Sequence, residues 1–154
     1  MEHIKLIVGR ETEGIAGFLL WQVSRLWQRR LALALRDLTL PVAHAVVLAN
    51  VLRFSEEGNA TSQAALSRAA KMDRTTTSLA LQALERRKLV TRETPTRDLR
   101  AYGVALTAKG RETAFDVVQR FASAHKAFFK PILKRENAQI LDFLQRLIAS
   151  NDFS

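Results

Sequence analysis

The sequence predicts a mainly α fold with a small β-hairpin, and three observations predict it. Apolar residues recur at helical spacing along most of the chain. One stretch alone, residues 89–106, reads as a pair of strands with a turn between them. Ser62, Asp73 and Thr107, whose oxygens suit the free amides of a first helical turn, each stand directly ahead of a helical stretch. The length of 154 residues suits one domain or two subdomains sharing a core. A hydrophobic fraction of 47% with 25% charged residues is that of a folded globular chain.

The elements follow in order. From Gly14 to Leu38, Phe18, Trp21, Leu26 and Leu33 share one apolar set and Leu19, Val23, Leu26 and Leu31 a second, which predicts a helix buried on two sides. Leu40-Pro41 ends it, because proline restricts the preceding residue and suits a new first turn, and the next helix is expected over Val42–Phe54. Ser55 to Asn59 forms a turn, and Ser62 caps a short alanine-rich helix, Gln63–Ala70. Asp73 caps the next helix, Arg74 to about Arg87. At 100° per residue Thr77, Ala80, Leu81 and Leu84 fall on one side of it, and Arg74, Thr75, Ser78, Leu79 and Gln82 on the other. Leu89–Thr94 and Ala101–Leu106 are the strands, and Pro95–Arg100 the turn of a hairpin whose tip holds Arg92, Arg97 and Arg100. After Thr107 a long helical region reaches Pro131 with Phe115, Val118, Phe121, His125 and Phe128 on a heptad-like step, and a last helix spans Asn137–Ala149.

Charge narrows the function. Of 24 basic and 15 acidic residues, 11 basic and only 4 acidic fall between Arg68 and Arg111, so the excess is local and marks a segment for a polyanion. With no cysteine, disulfides, thiolate zinc sites and thiol catalysis are excluded. No secretory signal and no run long enough to span a bilayer is visible, so a soluble, cytoplasmic protein with no membrane partner is expected. His3, His44 and His125 lie too far apart for a metal site within one helix, and neither a metal nor a cofactor is expected. No phosphate-cradling glycine loop, His-x-x-x-His pair or Gly-x-Ser-x-Gly elbow is present, so the chain is not expected to be an enzyme.

A short helix, a three-residue turn, a second helix with a polar stripe and a basic hairpin make the order of a winged helix-turn-helix. Duplex DNA fits it, because the major groove admits one helix and phosphates surround whatever enters. Short side chains let the backbone approach base edges. Gln82 suits a bidentate pair with adenine, Arg74 a guanine or a phosphate, and the methyl groups of Leu79 or Thr75 a thymine methyl. Thr76 shares the first turn of that helix, and Ser62 is a cap first and a phosphate contact second.

The chain resembles the MarR family of multiple-antibiotic-resistance-type regulators over most of its length. Leu38–Leu48 looks like the opening of that family's second helix, and Leu66–Thr77 like its helix-turn-helix. Leu84–Val90 is similar to its approach to the wing, Asp98-Leu-Arg100 to its Asp-x-Arg, and Leu106–Glu112 to its helix restart. Lys71 and Lys88 stand where the family often has glycine, and Leu79 where it often has a polar or basic residue.

The resemblance implies an obligate homodimer with a helical dimerisation region over residues 1–38 and 108–154 and a winged helix-turn-helix DNA-binding domain over 39–107. Phe115, Phe121, Phe128, Phe129, Phe143, Leu144 and Leu147 agree with it, being too apolar a set for one small monomer to hide. It further implies a palindromic double-stranded operator, a minor-groove arginine oriented by Asp98, and a repressor more than an activator. Asp98 and Arg100 also fit a plain surface ion pair. Relatives hold small aromatic carboxylates in a cleft between the two parts; Trp21, Arg25 and His44 are the residues expected to line it, with an aromatic carboxylate or its thioester as effector. The plainer reading of the three is a core tryptophan, a snorkelling arginine and a hydrogen-bonded histidine. The alternative function is a basic protein binding nucleic acid or an anionic surface without sequence preference.

Overall fold

A computed structural model describes residues 12–58, 61–93, 103–132 and 134–152. The hairpin turn, with Arg97, Asp98 and Arg100, lies outside the described residues, as does His3. Among the described residues six α-helices and one antiparallel strand pair follow one another: α1 (Thr12–Ala34), a 3-10 turn (Arg36–Leu38), α2 (Val42–Glu56), α3 (Gln63–Ala70), α4 (Arg74–Arg86), β1 (Val90–Glu93), β2 (Gly103–Leu106), α5 (Ala108–Phe128) and α6 (Lys134–Ser150). The fold is mainly α with a small β-hairpin wing.

The core is built around α2, whose Ala45, Val47, Leu48, Val51 and Leu52 are all buried. Leu66 of α3, Leu81 and Leu84 of α4, Leu89 and Val90 at the start of β1, and Ala114 and Val117 of α5 close around them. The strands pair in the register Val90↔Leu106 to Glu93↔Gly103. The Val104 amide also donates to the Thr61 carbonyl at 2.7 Å, so the segment ahead of α3 lies against the second strand. The wing and the helix-turn-helix are thus joined at their base.

One expectation is corrected. The first helix is not buried on two sides within this chain: Phe18, Leu19, Leu20, Trp21, Val23, Leu26 and Leu33 are all exposed, while Leu31 and Leu35 at its end are buried. Among the described residues no element of the same chain covers these exposed side chains. On α5 the buried set is Gly110, Ala114, Val117 and Ala124, which turns Phe115, Val118 and His125 outward. Small side chains let α5 approach α2 closely, so the bulky ones fall on the far side. The apolar residues of α6 are likewise exposed or half-exposed.

Candidate nucleic-acid interface

The recognition surface starts from two caps. Ser62 accepts the Ala65 amide at 3.1 Å and opens α3. That helix ends at Lys71, whose φ of 51° and ψ of 43° place a lysine in the left-handed region that glycine occupies most readily. Asp73 then accepts the Thr76 amide at 2.7 Å and the Thr76 hydroxyl at 2.6 Å, opening α4. These bonds, the hydroxyl's foremost, hold the Asp73 carboxyl below its ordinary range, so it stays ionised at the positive end of the helix. Gln63 donates to the Arg74 carbonyl at 3.3 Å and ties the start of one helix to the start of the next.

On α4 the two stripes separate as the spacing predicts. Thr77, Ala80, Leu81 and Leu84 are buried. Arg74, Thr75, Thr76, Leu79 and Gln82 are exposed and Ser78 half-exposed. Gln82 donates to the Ser78 hydroxyl at 3.5 Å, which leaves the amide oxygen and one amide hydrogen, the pair an adenine edge requires. Thr76 has its hydroxyl engaged by Asp73, so it serves the cap before any ligand. Arg68, Lys71 and Arg86 are exposed around this face. Arg92 is not at the hairpin tip: it lies within β1 and pairs with Glu85 of α4 at 3.4 Å.

The far end of α4 is held by a residue that sequence reasoning missed. Arg87 donates to the carbonyls of Leu38 and Thr39 at 2.9 and 3.0 Å. Lys88 follows with φ 57°, again left-handed, and its amide closes onto Glu85. Nothing local in the sequence signals the Arg87 clamp, since its partners lie nearly fifty residues away.

The three residues expected at an effector cleft are separated. An open cleft of about 810 Å³ runs between α1, α2 and the end of α3, lined by Arg25, Trp27, Arg29, Val42, Val46 and Met72 among others. Trp21 and His44 do not line it. Trp21 is 61% exposed and stacks on Phe18. His44 is half-buried, and burial, then the Arg87 and Arg86 charges, depress its pKa. Trp27 was the missed aromatic: it packs against Phe128 and Phe129 with ring centroids 5.2 and 6.2 Å away, joining α1 to the end of α5.

Comparison with known proteins bears on this arrangement. The family of ArnR1-like winged-helix domains matches residues 38–121, from the 3-10 turn into α5. The uncharacterized HTH-type transcriptional regulator YdcH of Bacillus subtilis (strain 168) is 28% identical over 132 residues, covering 86% of this chain and 88% of that protein. A MarR-family transcriptional regulator from Rhodococcus sp. RHA1 superposes with a TM-score of 0.77 at 25% identity over 90% of this chain and 96% of its own. CouR of Rhodococcus jostii RHA1, solved bound to p-coumaroyl-CoA, gives 0.73 at 26% identity over 86% and 90%. The first two of these proteins are transcriptional regulators by name, and among the described residues no helix is long and apolar enough to cross a membrane. With helix-turn-helix, strand pair and flanking helices matched together, the chain belongs to the ArnR1-like winged-helix family and is a DNA-binding transcriptional regulator of the MarR type.

Proposed function

We propose that the protein acts as a homodimeric repressor of a palindromic operator, released when a small effector binds. The observation that carries the reading is the outer stripe of α4, where short hydrogen-bonding side chains stand exposed opposite a fully buried stripe, within the most basic third of the chain. Arg74, Thr75, Ser78 and Gln82 enter the major groove; Ser62 and Thr76 cap the helices that present them and lie near phosphates; Arg97 and Arg100, with Asp98, reach the flanking groove. Residues 39–107 form the DNA-binding domain, and residues 1–38 with 108–154 the dimerisation region. The exposed apolar faces of α1, α5 and α6 support that division, because a lone chain leaves them in water.

The effector is an aromatic carboxylate or its thioester. Support comes from the cleft beside Arg25 and Trp27, which offers a guanidinium fork and a ring in one place, and from the acyl thioester held by CouR. A coupling of about 1–3 kcal/mol between cleft and operator weakens DNA binding about 5- to 150-fold.

A competition shift assay tests the reading, with duplex from upstream of the protein's own gene against unrelated duplex at fixed salt. Preference for the upstream duplex and its loss on adding an aromatic acid or thioester are the expected results. Equal competition by both duplexes overturns the sequence-specific reading and leaves a basic protein without preference.

A further inference from the structure

A single exposed leucine is ordinary on a protein surface, but the position of Leu79 is not. The other exposed large apolar side chains among the described residues lie on α1, on α5 and α6, or at Ile132 between them. Among the described residues between 36 and 107 Leu79 alone is in that class, 58% exposed, in the middle of the outer stripe of α4. Its neighbours there are Thr75 one turn before, Ser78 beside it and Gln82 three residues on, all short or polar. The helix has no need of it for packing, since the opposite stripe supplies every buried side chain of α4.

We infer that Leu79 reads the C5-methyl group of a thymine. The inference rests on the operator-binding reading above and names what that surface selects. In the major groove the thymine methyl is the one apolar group a base pair presents, so it is the partner that removes leucine from water without leaving a base donor or acceptor unpaired. The Thr75 methyl extends the same apolar strip. Side chains three apart on a helix have Cβ atoms about 5–6 Å apart, and base steps are about 3.4 Å, so the thymine lies within about two base pairs of the adenine read by Gln82.

The test uses the full chain and an operator selected from a random-sequence duplex pool. Each thymine of the consensus is replaced in turn by deoxyuridine, which removes the methyl and keeps the base pairing, and affinity is read by fluorescence anisotropy. One thymine per half-site, within about two base pairs of the position where Gln82→Ala loses discrimination, is expected to cost about four-fold on demethylation, the value of one buried methyl. Leu79→Ala should bind the thymine and uracil duplexes alike, and Leu79→Met should keep the difference. The scan of the unaltered protein needs no variant to fold. Insensitivity at every thymine, or a Leu79→Ala variant that discriminates as well as the unaltered protein, overturns the inference and leaves operator binding intact. A pool that yields no consensus overturns the operator reading itself, and this inference with it.

Discussion

Gly110 carries the sharpest stability prediction. It is buried at the third position of α5, and a Cβ built there would stand 1.7 Å from the Leu89 carbonyl oxygen and 2.7 Å from its carbon. The obstacle is backbone, so no side-chain rotation relieves it. That oxygen also accepts the Thr107 amide at 3.1 Å and the Thr107 hydroxyl at 3.3 Å, and the same hydroxyl caps Gly110 at 2.9 Å. Gly110→Ala must push α5 away from Leu89 by more than an ångström and loosen these bonds together. Overpacking costs about 1–3 kcal/mol and weakened bonds about 1 more, against a gain of about 1 in helix propensity; the net loss is about 2 kcal/mol. Urea unfolding at fixed protein concentration should show the midpoint falling by about 1 M with the slope unchanged. The same substitution at Gly17, where a Cβ meets nothing within 4 Å, should leave the midpoint unchanged or raise it. A Gly110→Ala midpoint within about 0.3 M of the unaltered protein would refute the close approach.

Lys88→Gly should stabilise the fold by about 0.5–1 kcal/mol, because relief of the left-handed backbone outweighs the added freedom of the unfolded chain; thermal melting checks it. His44 titrates lower in the fold than in the unfolded chain, so the unfolded chain binds more protons: stability is full above the ordinary histidine range and declines as pH falls through it. His44→Gln should remove that part of the slope in urea midpoints measured across pH 5 to 8. Arg100→Ala should weaken binding across all duplexes and lower the salt slope by about one, whereas Gln82→Ala should cost about 1–3 kcal/mol of preference at one base pair; anisotropy titrations over a salt series separate the two.

The helix-turn-helix was legible because its information is local. Ser62 and Asp73 cap the residues directly after them, and the buried stripe of α4 follows from helical spacing alone. The left-handed turns at Lys71 and Lys88 were not read: the resemblance marked only that glycine is frequent at these places, and lysine itself gives no sign of a positive φ. What lies beyond local reach was lost. The face of α5 that packs inward is chosen by how closely Ala114 and Val117 let it approach α2, and the heptad-like step through Phe115 and Val118 does not name it. Trp21 and Arg25 share a helix face by spacing, but the crossing of α1 over α2 decides which residues line the cleft, and it selects Arg25 with Trp27.

The Arg87 guanidinium has a mechanical consequence. Its two carbonyl partners belong to the segment that leaves α1, and Thr107, which bonds to Lys88 and Leu89, begins the segment that returns through α5. The tail of α4 is therefore leashed to both places where the polypeptide crosses between the outer helices and the winged unit. A tilt of those helices cannot be absorbed as slack in the connections without breaking these bonds. A lysine at position 87, with one compact ammonium in place of a planar fork, would lengthen that leash.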